Sequence, residues 1–285
     1  MSRIGYKRGS FIYSDYDSVE AMNLLFKSPG DAPGVYPVVR RGEGLKHLSF
    51  TIVELGAGLK EHVFETGEEE AALSFYKGAV AVEIGGWSTR IPRRESLQQP
   101  GPVVYVPPGS KVKLACVDEA ARIAVAGALG EPGGDVALIS PEDVMVSETG
   151  KDNWRRMVYT HIADNLESAR LIVGETVSQP GGWTSCPPHK HDRFGGSEVP
   201  MEEIYYFHVD PPQGFGFIRV YTDQDDLEPF DRAFPIENGD TVLIPRGYHP
   251  VSACPGYALN YLWVMAGEAR KYGAWTDDPR HAWLK

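Results

Sequence analysis

The residues of this chain best suited to bind a metal ion lie in its second half. His189 and His191 flank Lys190, Glu203 begins an aromatic segment, and His249 stands in the turn PRGYHP. Side chains alternate along an extended strand, so the two imidazoles point to one face and Lys190 to the other. Three imidazoles and one carboxylate suit a divalent metal and leave coordination positions open for substrate. The predicted ligands are His189, His191, Glu203 and His249.

Each predicted ligand has a competing interpretation. An isolated His-x-His pair is often a surface feature, but the acidic segment and the distant His249 favour a metal site. Glu202 competes with Glu203 as the carboxylate ligand because neighbouring strand residues face opposite sides, and Glu198 is a third candidate. Cys186 is expected to be a packed thiol. Surface or local structural roles are expected for three further histidines, His161, His208 and His281.

Short segments of alternating polarity, bounded by Gly and Pro, indicate the elements that must position these residues. The 31 glycines and 22 prolines are spread along the chain. Alternation with period two predicts strands, so the fold class is all-β, a sandwich or barrel. Helical periodicity is weak, with candidates at 18–26 and 141–148. The clearest strand segments are LSFTIVEL (48–55), ALSFYKGAVAVEI (72–84), EIYYFHV (203–209), GFGFIRVYT (214–222) and DTVLIP (240–245).

The two halves of the chain repeat one β-unit. GPVVYVPPG, from Gly101, recurs as GDTVLIPRG, from Gly239, at an offset of 138 residues. A repeat of this length predicts two tandem units, 1–150 and 151–285, with the boundary near 145–160. Where the second unit has His249 the first has Lys111, and His62 alone stands in place of the His-x-His pair. The first unit is therefore expected to be structural and the second to carry the metal.

Composition limits the class of partner. The formal charge is −11 and no basic run occurs, which disfavours nucleic acid and anionic membranes. No run of about 18 apolar residues is present, and the three cysteines form no CxxC pair. These features predict a cytoplasmic protein in a reducing compartment with a small-molecule partner.

The motifs His-x-His, Glu, and Gly-x5-Pro-x-Gly with a nearby His resemble those of the cupin superfamily. The duplication resembles a bicupin, which implies two tandem jelly-roll β-barrels. A long gap between His191 and Glu203, and a single residue between Gly247 and His249, resemble one branch, the 5-deoxyglucuronate isomerases of myo-inositol breakdown. The pectin-related uronate ketol-isomerases are a weaker match. The matching segments are 173–192, 202–209, 214–222, 238–267 and 278–283.

The resemblance implies an activity and its requirements. The implied reaction is the aldose–ketose isomerisation of 5-deoxy-glucuronate to 5-dehydro-2-deoxy-gluconate. It implies one divalent metal ion, with Zn or Mn favoured and Fe or Ni compatible, a small sugar-acid substrate, and a homo-oligomer. An Fe(II) dioxygenase, another uronate isomerase and a non-catalytic sugar-acid binding protein are the alternatives.

Two further roles need residues in such an enzyme. A proton must be moved, and the candidates are Glu202, Glu198, Tyr205, Tyr248 and Tyr261. The substrate carboxylate needs a cation, and the candidates are Arg219 and Arg246. Arg219 alternates with aromatic residues on its strand, and that aromatic face is expected to point into the barrel.

Overall fold

The computed structural model describes residues 22–285, and strands dominate them. The first half contributes strands β1 to β11. Their bounds are β1 (Leu25–Phe26), β2 (Gly34–Val39), β3 (Leu48–Leu55), β4 (Glu61–Glu65), β5 (Glu69–Lys77), β6 (Val80–Ile84), β7 (Trp87–Ile91), β8 (Val103–Val106), β9 (Lys111–Cys116), β10 (Ala121–Leu129) and β11 (Ala137–Ile139).

The second half contributes strands β12 to β23 and most of the short helical turns. The strands are β12 (Met145–Thr149), β13 (Arg156–Ile162), β14 (Ile172–Ser178), β15 (Trp183–Thr184), β16 (His189–Lys190), β17 (Met201–Asp210), β18 (Phe215–Tyr221), β19 (Asp231–Glu237), β20 (Thr241–Ile244), β21 (Val251–Ala253), β22 (Ala258–Gly267) and β23 (Thr276–Asp277). The 3-10 helices of the described residues are Pro141–Asp143, Asp152–Trp154 and Pro279–Leu284.

Each half is a pair of antiparallel sheets. In the first, the six-stranded sheet β11-β8-β5-β10-β3-β2 faces the four-stranded sheet β4-β9-β6-β7. Apolar side chains of both sheets, among them Leu73, Phe75, Val82 and Leu114, form one buried cluster between them. Alternating apolar residues on facing sheets bury their side chains in this way. The interior of the first barrel is therefore a packed core.

The second half has the same layers but a different interior. The seven-stranded sheet β1-β20-β17-β22-β14-β13-β12 faces the four-stranded sheet β15-β21-β18-β19, and β16 pairs with β23. Alternation on β17 divides its side chains between two environments. Tyr206 packs against Phe50 and Tyr76 of the first half, with ring centroids 5.6 and 5.4 Å away. Its neighbours Glu203 and Tyr205 instead line a cavity inside the second barrel.

Two carboxylates connect the two halves. Glu70, which is fully buried, accepts hydrogen bonds of 2.7 to 2.8 Å from three consecutive backbone N–H groups, at 169–171. In the reverse direction, Glu202 accepts from the backbone N–H groups of Lys46 and His47 at 2.7 and 2.8 Å. Buried backbone donors need such acceptors, so each carboxylate fixes a turn of the other half.

A buried ion pair also joins the halves. Arg94 of the first half donates to both carboxylate oxygens of Glu175 on β14, at 2.7 and 2.9 Å. The side chains are 5% and 3% exposed. Burial alone would raise the pKa of the Glu175 carboxyl, but the charge and hydrogen bonds of Arg94 hold it at about 2. The bidentate geometry compensates both charges for the loss of water.

The sheets do not divide the chain at a single point. Strand β11 is the last strand of the first sheet pair and β12 belongs to the second, so the chain changes sheets between 139 and 145. Strand β1, from the beginning of the described chain, pairs with β20 of the second half. Two strands of the proposed unit 1–150, β1 and β12, therefore belong to the large sheet of the second half.

Both helix predictions were wrong in the described residues. Residues 141–148 form a 3-10 helix, Pro141–Asp143, followed by strand β12, which hydrogen-bonds along its length to β13. Of the helix predicted at 18–26, residues 18–21 lie outside the described residues, and Leu25–Phe26 is strand β1. In each case a sheet edge offered hydrogen-bond partners to the backbone. This pairing outweighed the weak helical preference of the segment.

Candidate active site

A cavity of about 370 Å³ opens inside the second barrel. Strands β12, β13, β14, β17 and β22 form its walls, together with the segment 185–191 and the end of the chain. His189, His191 and Glu203 all line it. The cavity therefore holds the chemistry-bearing residues that the first barrel lacks.

Three of the four predicted ligands meet at one point. The ligand atoms of His191, Glu203 and His249 all lie within 4.8 Å of one another, and all three residues are buried. Glu203 Oε2 is 3.1 Å from His191 Nε2 and 3.2 Å from His249 Nε2. Such a cluster of imidazoles around one carboxylate oxygen is suited to a divalent cation.

The fourth predicted ligand, His189, lies beside this triad. Its ring centroid is 4.8 Å from that of His249 and 6.3 Å from that of His191. Strand β16 holds it there by pairing with β23 near the end of the chain, where His189 stands opposite Asp277. Lys190 points away from the cavity and pairs with Asp192 and Asp223, as the alternation of an extended strand predicts.

Backbone carbonyls orient the imidazoles. His191 Nδ1 lies 2.8 Å from the Met201 carbonyl oxygen, and His249 Nδ1 lies 2.9 Å from that of Gly247. A carbonyl can only accept, so each Nδ1 carries the proton and each Nε2 presents its lone pair. Gly247 has φ +94°, and a Cβ there would lie 2.5 Å from the Tyr221 carbonyl oxygen. The turn that aims His249 thus requires glycine.

The protonation of the histidines follows from burial and from Glu203. Burial lowers the pKa of His249 and of His189 to about 3, so both rings are neutral at physiological pH. Burial also acts to lower the pKa of His191, but the hydrogen bond and charge of Glu203 outweigh it and the net shift is upward. The Glu203 carboxylate thus favours positive charge at the centre of the cluster.

This arrangement fits a metal ion. His249 Nε2 is fully buried and has no hydrogen-bond partner among the described residues. Buried polar atoms are normally satisfied, so a lone pair aimed at a carboxylate without a proton between them calls for a cation. Nδ1 bonded to a carbonyl and Nε2 left free is the usual arrangement of metal-binding histidines.

Two of the candidate proton-transfer residues line the cavity. Tyr205 and Tyr261 stand on β17 and β22, with ring centroids 4.5 Å apart, and Tyr205 lies 5.6 Å from the His249 ring. Ser185 hydrogen-bonds to their hydroxyl groups at 2.9 and 3.3 Å. Ser185 has φ +50°, a strained conformation for serine that is typical of functional sites.

The other candidates lie elsewhere. Glu202 faces the first half, where it accepts from Lys46 and His47, because it alternates with Glu203 on β17. Glu198 accepts from the backbone N–H groups of Asp192 and Arg193 and so holds the loop after His191. The hydroxyl of Tyr248 donates to Asp223 at 3.0 Å, outside the cavity lining.

The prediction that the aromatic face of β18 points into the barrel was wrong. Phe215 and Phe217 are 42% and 46% exposed, whereas Gly216, Ile218 and Val220 are buried. Arg219 therefore lies on the outer surface, where it forms a bidentate pair with Asp231 at 2.6 and 2.8 Å. Tyr221, at the end of the same face, is buried instead, and its hydroxyl donates to Asp278 at 2.8 Å.

Arg246, the second candidate for binding the substrate carboxylate, also has other partners. Arg246 pairs with Asp226, donates to the Glu228 carbonyl at 2.6 Å and packs over the Phe230 ring. The cations that do line the cavity are Arg156 and Lys285. Sequence reasoning missed Arg156, whose signal was its position at the start of the alternating segment RMVYTHI.

Comparison with known proteins identifies the family. The model of the KduI/IolB family matches residues 24–284, which is nearly all of the described chain. The chain belongs to the KduI/IolB family. Its relatives include a 5-deoxy-glucuronate isomerase of Geobacillus kaustophilus, 34% identical over 90% of this chain and 92% of that protein. A 5-deoxy-glucuronate isomerase of Halalkalibacterium halodurans is 37% identical over 88% of this chain and 92% of that protein.

Solved structures support the same assignment. An IolB-like protein from Salmonella typhimurium matches with a TM-score of 0.83 and 32% identity, over 92% of this chain and 99% of that one. An oxalate decarboxylase of Lactobacillus farciminis matches at 14% identity with a TM-score of 0.64, over 92% and 90% of the two chains, and so shows the fold alone. The predicted all-β bicupin fold is confirmed. Within residues 22–285, no helix is long and apolar enough to cross a bilayer.

Proposed function

We propose that this member of the KduI/IolB family is an aldose–ketose isomerase that converts 5-deoxy-glucuronate to 5-dehydro-2-deoxy-gluconate in myo-inositol breakdown. The observation that carries the proposal is the 34% to 37% identity to 5-deoxy-glucuronate isomerases over most of both chains. The cavity with its imidazole and carboxylate cluster supports it, because it offers a place for such a sugar acid beside a metal.

The proposed metal ligands are His189, His191, Glu203 and His249, with Zn or Mn as the favoured ion. When bound, the ion would polarise the C1 carbonyl and the C2 hydroxyl group, which makes the C2 proton more acidic. Neutral imidazoles from His189 and His249 supply lone pairs without a competing proton, since burial lowers the pKa of each to about 3.

Tyr205 and Tyr261 are proposed to donate hydrogen bonds to the substrate oxygens that become negative. Burial, with the charge of Glu203, raises the pKa of Tyr205 well above its usual range, and burial raises the pKa of Tyr261. Both phenols therefore stay protonated at neutral pH and act as donors rather than bases. Ser185 accepts from or donates to both hydroxyls and so fixes their direction.

Turnover of 5-deoxy-glucuronate before and after chelation tests the proposed function. We expect purified protein to isomerise the sugar, to lose activity on chelation, and to regain it with Zn or Mn, with the same rate under argon and air. A redox-inert ion suffices for isomerisation, whereas an Fe(II) dioxygenase needs oxygen. Metal-bound protein without turnover of this sugar, or turnover that requires oxygen, would refute the assignment.

Replacing Tyr205 by phenylalanine removes one proposed donor and keeps the ring. We expect kcat to fall about 10- to 100-fold, with the metal content unchanged, because one hydrogen bond to developing negative charge is lost. Stopped assays analysed by chromatography measure kcat, and elemental analysis measures the metal. Tyr257→Phe, on a half-exposed turn residue, is the control. A rate equal to that of the wild type would remove Tyr205 from the mechanism.

The proposal extends to cellular location and assembly. The absence of a disulfide among the three cysteines, Cys116, Cys186 and Cys254, accords with a cytoplasmic location. Self-association into a homo-oligomer stays a prediction, to be measured by light scattering of the purified protein.

A further inference from the structure

Arg156 is the cation whose surroundings in the cavity call for a ligand. It stands at the start of β13, paired with Thr149 of β12 and Ser178 of β14. Arg156, Val158 and Thr149 line the cavity. Tyr159, of the opposite alternation, points towards the first half and donates to the Gln98 carbonyl oxygen. The strand register therefore directs the guanidinium of Arg156 to the inner side of the sheet.

The hydrogen-bonding capacity of Arg156 is mostly unused by the protein. Nη1 donates to the Trp154 carbonyl oxygen at 3.3 Å, and the guanidinium carbon lies 5.7 Å from the centroid of the Trp154 ring. In the described part of the chain, no carboxylate oxygen lies within 4 Å of its nitrogens. A guanidinium has five N–H donors, so several remain available to a ligand.

Several other arginines are already paired with carboxylates and are less available to a ligand. Arg94, Arg219 and Arg246 each pair with a carboxylate, of Glu175, Asp231 and Asp226 respectively. Lys285, the second cation of the cavity lining, already pairs with Asp277, and its side chain is 61% exposed. In a chain with net charge −11, a half-buried arginine that has no carboxylate partner is a suitable binding site for an external anion.

The charge of Arg156 affects a residue that lines the cavity. Burial raises the pKa of the Cys186 thiol to about 11, and Arg156 is the charged group that opposes this shift. Cys186 precedes the metal-binding segment and lines the same cavity. The positive charge of Arg156 therefore reaches the cavity wall at Cys186, three residues before His189.

We propose that Arg156 binds the carboxylate of the substrate, a role that rests on the isomerase function proposed above. The reacting carbons of a linear six-carbon uronate lie at the end opposite to its carboxylate, roughly 6 Å away when extended. An ion held by the histidines would face C1 and C2, and the fork of Arg156 matches the two carboxylate oxygens at C6. Trp154 supports the guanidinium plane. The metal ion and Arg156 together select uronates over neutral sugars and orient the bound uronate.

The test compares a charged and a neutral substrate in Arg156→Met. The substrates are 5-deoxy-glucuronate and 5-deoxy-glucose, which carries a hydroxymethyl group instead of the carboxylate. We expect kcat/KM for the uronate to fall about 100- to 1000-fold, mainly through KM, and that for the neutral sugar to change less than about threefold. Arg156→Lys keeps the charge but loses the two-pronged geometry of the guanidinium. Its kcat/KM for the uronate should lie between those of the wild type and Arg156→Met. Metal content should stay at the wild-type value in both variants.

Arg155→Met is the matched control, because the exposed guanidinium of Arg155 pairs with Glu148 and neither residue lines the cavity. Equal losses with both substrates in Arg156→Met would assign it a structural role and overturn the proposal, as would unchanged uronate kinetics.

A binding experiment separates this proposal from the assignment of the reaction. If the wild type turns over neither sugar, calorimetric titration with D-glucuronate and D-glucose replaces the kinetics. Tighter binding of glucuronate by the wild type, lost in Arg156→Met and kept in Arg155→Met, would support the anion site without the isomerase. Equal affinity of the wild type and Arg156→Met for glucuronate, or no binding of it by the wild type, would overturn the proposal.

Discussion

His249→Ala is expected to remove the bound metal and to lower kcat/KM about 1000-fold or more. His249 is fully buried, and its Nε2 lies 3.2 Å from Glu203 Oε2. Alanine removes one of the lone pairs that converge on the site and leaves the Glu203 carboxylate with fewer partners. Stabilisation by a metal contributes several kcal/mol to a transition state, and each 1.36 kcal/mol is a factor of ten in rate.

Elemental analysis and isomerase assays measure this effect in parallel. The control is His62→Ala, because His62 stands on β4 of the first half, where it stacks on Phe64 at 5.6 Å. We expect its metal content and activity to match those of the wild type. Circular dichroism checks that His249→Ala is folded. A folded His249→Ala protein with a full complement of metal would contradict the assigned ligand set.

Glu175→Gln is expected to lower the free energy of unfolding by about 3 kcal/mol at neutral pH, because it removes the buried ion pair between the two halves. The pKa of this carboxyl is about 2 in the folded protein against 4.5 as its ordinary value, and each unit corresponds to about 1.36 kcal/mol. Because the folded pKa is depressed, the stabilisation is complete above pH 4.5 and is lost as the pH falls towards 2. The variant also leaves Arg94 charged and buried without its partner, which is costly.

Urea unfolding of the wild type and of Glu175→Gln, measured at several values between pH 7 and pH 3, tests this expectation. The difference in unfolding free energy should be largest at pH 5 to 7 and should shrink as the pH decreases. Glu148→Gln is the control, since Glu148 forms an exposed pair with Arg155. Exposed pairs contribute little, so its effect should stay below about 1 kcal/mol. A difference independent of pH would show that the ion pair does not stabilise the joint.

Local sequence patterns were sufficient to predict the strands and to bring out the candidate metal ligands. Alternation with period two depends on the pleat alone, so it predicted the strand segments and separated His189 and His191 from Lys190. The repeated Gly-x5-Pro-x-Gly motif marked equivalent turns, and Gly109 and Gly247 both adopt positive φ. The carboxylate ligand was harder to predict, because Glu202 and Glu203 are neighbours that differ only in which face of β17 they occupy.

Properties that depend on which face of a strand is covered could not be read from the sequence. Phe215, Phe217 and Arg219 of β18 were expected inside, yet they lie on the outer surface. The helical candidates became strands because sheet edges were available to pair with them. Both outcomes depend on residues that are distant in the sequence. The periodicity of a single segment carries no information about them.

Residue types at fixed local spacing were enough to predict the β class, the duplication, the family and the ligand candidates. The contents of the cavity depend instead on the tertiary structure. It brings Arg156 of β13 and Ser185 of a turn beside Tyr205 of β17, and it turns Glu202 towards the first half. Sheet order and register decide such neighbours, and they are set by the burial of both barrels together rather than by any single segment.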